Sequence, residues 1–119
     1  MTADTYRAPL ISSKAIELGS IGLRASENER DEARVRRFCA VPDGDFVWTR
    51  LDDGFHLGRL TGPCRDDVRP CDWLPEPVDP ALVPEQVSYA FSRGGRNFQR
   101  IGLEGAGEAT ARVWDHYQA

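Results

Sequence analysis

Phe46-Val47-Trp48-Thr49-Arg50-Leu51-Asp52-Asp53-Gly54-Phe55-His56-Leu57-Gly58-Arg59-Leu60-Thr61 is the stretch that decides the fold. Phe46 to Thr49 is rich in aromatic and β-branched residues, and Phe55 to Thr61 is a second strand-like run. Asp52-Asp53-Gly54 separates them. An Asp-Gly turn between two such runs is the strongest short-range hairpin signal, because the glycine supplies the positive φ that a tight turn demands. The stretch therefore reads as a β-hairpin, and Pro42-Asp43-Gly44 marks the turn that precedes it.

Downstream, Val68-Arg69-Pro70-Cys71-Asp72-Trp73-Leu74 alternates apolar and polar residues and predicts a third strand. Pro70 lacks an N–H and would confine that strand to an edge or a bulge. Pro75, Pro77, Pro80 and Pro84 mark an irregular connector. Glu85 to Ser92 follows as a helix with Val87, Ala90 and Phe91 on one face, and Arg93-Gly94-Gly95-Arg96 ends it. Asn97 to Ile101 reads as a return strand with Phe98 and Arg100 on one side and Gln99 and Ile101 on the other. Glu108 to Tyr117 closes the chain as a helix carrying Ala109, Val113, Trp114 and Tyr117 at helical spacing.

Upstream, Ser26 is a candidate N-cap with Glu29 as the partner of a capping box. The helix it opens has acidic residues in front and arginines behind, which suits the helix dipole. Its apolar stripe, Val35, Phe38 and Cys39, is narrow. Pro9-Leu10-Ile11 reads as an opening strand running into a loop at Ser12-Ser13-Lys14, and the first seven residues read as loose. The segment around Gly19 and Gly22 carries no clear signal. The expectation is one α+β domain over residues 1–119, with a curved, mainly antiparallel sheet of about five strands and flanking helices.

The length of 119 residues suits a single core, and no apolar run approaches the roughly 20 residues needed to cross a bilayer. No signal peptide is legible at the N-terminus, so the chain reads as a soluble cytoplasmic protein. Its net charge of −4 argues against a protein that coats phosphates indiscriminately, although a local basic groove remains open. Of the 15 basic residues only Lys14 is a lysine. Arginine is the better residue for bidentate and stacked contacts, but such a ratio is more simply the codon bias of a GC-rich genome. Cys39, Cys64 and Cys71 are an odd number without short paired spacing and read as thiols in a reducing compartment.

These cysteines, with His56 and His116, have the atom types of a zinc site but lack the close pairs that let one turn aim two ligands at one ion; no metal is expected. Nor is a catalytic set, because no nucleophile–His–carboxylate pattern or apolar carboxylate pair is legible. His56, beside Asp52 and Asp53, is the one histidine worth testing. Gly102, Gly105 and Gly107 have neither the dinucleotide fingerprint nor a P-loop's Lys-Ser/Thr pair, and no cofactor is expected. Arg93-Gly94-Gly95-Arg96 is more suggestive, since two guanidinium forks flanking a flexible turn can hold one phosphate. Its plainer role is a helix C-cap. Trp48 and Trp73 sit among polar neighbours in strands, so either can face a pocket or the core.

The order of these elements resembles PUA-like domains, and within them EVE-type domains and the reader modules of modification-dependent restriction systems. The resemblance runs over residues 9 to 101 and rests on Ser12-Ser13-Lys14, Arg24-Ala25-Ser26, Asp43 to Trp48, Leu57 to Gly62 and Val68 to Leu74. It implies a pseudo-barrel of five or six strands that holds a modified base of DNA or RNA in an aromatic-lined pocket. It would place Ser12 and Ser13 at the pocket lip, Arg24 and Ser26 at the start of the first helix, and Trp48 and Trp73 on the strands around it.

Arg59, Arg93 and Arg96 join those residues as candidate ligand contacts. The implied partner is a nucleic acid carrying a modified base, in a bacterial cytoplasm and away from any membrane. A protein partner or a fused nuclease domain would fit the alternative, a non-catalytic interaction or regulatory module that keeps the fold without the pocket.

Overall fold

The computed structural model describes residues 3–8, 13–22, 29–66, 68–94 and 98–118. Its hairpin lies where the sequence places it: β3 (Phe46–Leu51) and β4 (Gly54–Leu60) run antiparallel, with Leu51 opposite Gly54 and Asp52-Asp53 as the two-residue loop. β5 (Val68–Trp73) pairs with β4 through Cys71, Asp72 and Trp73, and with β2 (Ser20–Gly22) through Val68, Arg69 and Pro70. The strand thus changes partner midway. Pro70 is accommodated because its carbonyl accepts from Thr61 N just past the end of β4, so its missing N–H falls where that ladder has stopped.

β1 (Thr5–Arg7) corrects the reading of the first seven residues as loose. It runs parallel to β3 and antiparallel to β6 (Gln99–Arg100), which makes the strand order β2-β5-β4-β3-β1-β6. Its composition hides it: Thr5 and Arg7 point inward, and polar residues become tolerable there only because tertiary partners satisfy them. The sheet has six strands where about five were expected, and one parallel pair among antiparallel ones. It curls into a half-barrel accompanied, among the described residues, by four α-helices, an α+β architecture.

α1 (Ser13–Glu17) replaces the loop expected at Ser13 and Lys14, while the strand expected at Pro9 to Ile11 lies outside the described residues. α2 (Glu29–Ala40) buries Val35 and Phe38, the narrow stripe its spacing predicts. α3 (Glu85–Ser92) follows a 3-10 turn at Pro80–Leu82 and buries Val87 and Phe91. α4 (Ala106–Gln118) buries Val113 and Trp114. α3 and α4 pack on one face of the sheet with Phe46, Trp48 and Leu57. On the other face Phe38 of α2 and Ile21 of β2 pack with Val47, Leu60 and Trp73. Alternation along β3 and β4 feeds both cores.

The cysteine reading also needs correcting. Cys39 at the end of α2 and Cys64 in the β4–β5 loop form a disulfide across a sequence separation of 25, and only Cys71, in the core, is a free thiol. Spacing along the chain could not show a pairing that the fold creates by laying one loop against one helix end. Arg69 ties the same two segments: its guanidinium, 1% exposed, donates to Phe38 O, Val41 O and Gly62 O and pairs with Asp43 at 2.8 Å. Among the described residues, no helix is long and apolar enough to cross a membrane.

Candidate functional site

Among the described residues, the expected contacts Ser13, Trp48, Arg59, Trp73 and Arg93 are not gathered around one pocket. Ser12, Arg24, Ser26 and Arg96 lie outside the described residues, and Ser13 is exposed on the first turn of α1. Trp48 pairs with Leu57 and Trp73 with Gly58, adjacent positions of β4 whose side chains leave opposite faces of the sheet. The two indoles therefore share no wall. Trp48 is fully buried, and its Nε1 donates to Thr110 Oγ1 at 3.1 Å; Trp73 Nε1 donates to Ser20 O at 2.9 Å. Both polar handles are satisfied within the protein.

Arg59 is likewise occupied. Its Nε donates to Gly44 O at 2.9 Å, and its guanidinium lies 4.9 Å from the centre of the Phe46 ring. It clips the turn before β3 onto the sheet, a cation–π contact on the side of the sheet that carries α4.

Arg93 is the expected contact that does face a cavity. A groove of about 510 Å³ opens between the end of α3 and β6, with Arg7, Tyr89, Arg93, Gly94, Gln99 and Arg100 in its lining. Tyr89 and Arg93 are four residues apart, so they share a face of the last helical turn. The guanidinium lies 5.8 Å from the ring centre, and Tyr89 is 51% exposed. Gly94 takes the left-handed φ of 72° that ends the helix. Arg100 projects from the edge strand and is paired at 3.3 Å with Asp4.

Arg7 holds the two walls together. From β1 its Nη1 donates to Ala90 O at 2.8 Å and Gly94 O at 2.6 Å, and its Nη2 donates to Gln99 Oε1 at 2.9 Å. One buried cation thereby caps the carbonyl end of α3 and fixes the β6 side chain opposite. Among the described residues, the lining includes three arginines and no carboxylate. In a chain of net charge −4 that is a local reversal of sign, which the total could not reveal.

Arg7, Tyr89, Gln99 and Arg100 were not singled out from the sequence. The Tyr89–Arg93 spacing was the available signal. Arg7 had none, because its partners lie more than 80 residues away along the chain.

Elsewhere, His56 Nε2 and Asp53 Oδ1 are 2.7 Å apart, and this hydrogen bond holds the Asp53 carboxyl below its ordinary range. Across the hairpin from His56 stands Thr49; both are buried, and among the described residues His56 Nδ1 and Thr49 Oγ1 have no hydrogen-bond partner. Burial raises the Asp45 carboxyl, the Tyr6 phenol and the Cys71 thiol above their ordinary values. A thiol so shifted is not a ready nucleophile. Among the described residues no group of three or more His, Cys, Asp or Glu side chains is placed to hold a metal ion. No protein-family model matches the chain, and no curated protein matches it.

Proposed function

We propose that the chain is a nucleic-acid-binding module whose contact surface is the groove between the end of α3 and β6. The observation that carries the reading is the meeting of Arg7, Arg93 and Arg100 with exposed Tyr89 in a lining that has no carboxylate among the described residues. Phosphates need local positive charge, and a base needs an aromatic face, where stacking contributes ~1–3 kcal/mol. Neither requires a basic protein. The groove's volume lies in the range that accepts a small ligand, which suits one nucleotide or one flipped base.

The resemblance to EVE-type PUA-like domains adds the finer expectation of a modified base. Tyr89 is then the aromatic face that would receive the base, since both tryptophans are committed to the cores. The competing reading is a protein-interaction module, which gains support from Tyr89 and Leu103, 51% and 40% exposed on the groove.

The test is fluorescence anisotropy at low salt with labelled single-stranded oligonucleotides carrying unmodified, methylated or hydroxymethylated bases. Binding is expected to weaken as salt rises. Arg93→Ala should weaken it uniformly across sequences and lower the salt slope by about one. Equal, negligible binding to every oligonucleotide at low salt would sink the reading and leave the protein-interaction alternative.

A further inference from the structure

Arg7 and Gln99 carry an inference that rests on the nucleic-acid reading and adds a base preference to it. An arginine side chain has donors only, so the Gln99 atom 2.9 Å from Arg7 Nη2 is the amide oxygen. The amide NH2 is thereby turned away from Arg7. Gln99 is exposed, lines the groove, and among the described residues has no partner for Nε2.

An unconstrained glutamine reads adenine with both ends of its amide, accepting from N6 and donating to N7. Gln99 cannot do this well. Its acceptor is committed beside a guanidinium charge, and an exocyclic amino group approaching it would bring N–H hydrogens toward that charge. Among the described residues, Arg93 and Arg100, the other charged groups in the groove's lining, are also donors without an acceptor. A base that turns its C4 edge (pyrimidine) or C6 edge (purine) to Gln99 meets donors that complement a keto oxygen there and do not complement an amino group there.

We infer that Gln99 is a specificity-determining residue that donates to the keto oxygen at C4 of a pyrimidine or C6 of a purine, so the groove prefers thymine, uracil and guanine to cytosine and adenine. Thymine and cytosine give the sharpest comparison, because they differ chiefly in carrying O4 or an amino group at the same ring position.

The experiment is anisotropy at low salt with oligo-dT and oligo-dC of equal length against the intact chain and Q99E. Wild type is expected to bind oligo-dT about fivefold more tightly, the low end of what one edge contact contributes. The carboxylate introduced by Q99E keeps an acceptor for Arg7 and offers another to the cytosine amino group, so the ratio should invert. Gln99 is exposed, and matching thermal melts of the two proteins would show that folding is not the cause. Equal, salt-sensitive binding of both oligonucleotides would overturn the role of Gln99 while leaving the nucleic-acid reading standing. A thymine preference unchanged in Q99E would overturn it too. No binding to either oligonucleotide would remove both the reading and the preference built on it.

Discussion

Trp48 and Trp73 lie back to back across one sheet, in register with Leu57 and Gly58 of the strand between their own. Gly58 makes the second placement possible: a Cβ there would stand 2.7 Å from the Trp73 ring and 2.6 Å from Cys71 Sγ. The indole covers the backbone where a side chain would otherwise be. Each tryptophan serves a separate core, which removes the aromatic wall that both were expected to form.

Trp48→Phe should therefore lower stability by roughly 1–3 kcal/mol, through lost packing and the lost bond to Thr110, with no change in oligonucleotide affinity. Gly58→Ala should cost a similar amount by overpacking. Urea unfolding and anisotropy on the same samples separate the two properties. A loss of affinity in a folded Trp48→Phe protein would return the indole to the site.

The Cys39–Cys64 bond closes a loop across a separation of 25 residues, for which loss of unfolded-state entropy predicts a stabilisation of ~3.5 kcal/mol. Dithiothreitol should lower the melting temperature by roughly 10 °C or more. The reduced protein is expected to stay folded, because Arg69 still joins Phe38 and Val41 to Gly62. Alkylation in denaturant after acid quenching should find one thiol, Cys71, in the oxidised protein. Three thiols in protein taken from its native host would place it in a reducing compartment.

Thr49 and His56 stand opposite each other across the hairpin, and Thr49 Oγ1 and His56 Nδ1 are buried polar atoms without hydrogen-bond partners among the described residues. Removing an unsatisfied hydroxyl sacrifices no hydrogen bond. Thr49→Val should accordingly raise stability by about 1 kcal/mol in urea unfolding. A loss of stability would mean instead that a water joins the hydroxyl to the ring nitrogen.

Asp45 is buried, and its carboxyl titrates above the ordinary 3.8 because burial penalises the charge. The native protein then keeps a proton at pH values where the unfolded chain has released it, so stability falls as pH rises through that window. The penalty is fully present at neutral pH. Asp45→Asn retains an oxygen for Asp4 N, and should be more stable than wild type at pH 7 with the difference shrinking toward pH 3.8. Asp53 has the opposite sign: its stabilising bond to His56 is present above the ordinary carboxylate pKa and lost as pH falls below it. Thermal melts of Asp45→Asn and wild type across acid pH check the first; a constant difference would refute it.

The local elements were legible wherever short-range chemistry decides conformation. The Asp52-Asp53-Gly54 turn, the Val35 and Phe38 stripe of α2, the bounds of α3 and the helical spacing of Val113 and Trp114 each follow from turn propensity or period. β1 was not legible, because a strand of Thr, Tyr and Arg becomes a strand only when β3 and β6 flank it. The site was legible in one residue, Arg93, whose flanking glycine marks a turn.

Sequence by itself determined the hairpin, the helices α2, α3 and α4 and the arginine-rich, net-acidic composition, since these depend on neighbours along the chain and on sums over it. Only the tertiary structure decided which face each tryptophan takes, which cysteines pair, and that Arg7 fastens α3 to β6 beneath a groove whose described lining holds no carboxylate. Those are relations between segments up to 92 residues apart, set by strand order and register, and no window along the chain contains both partners.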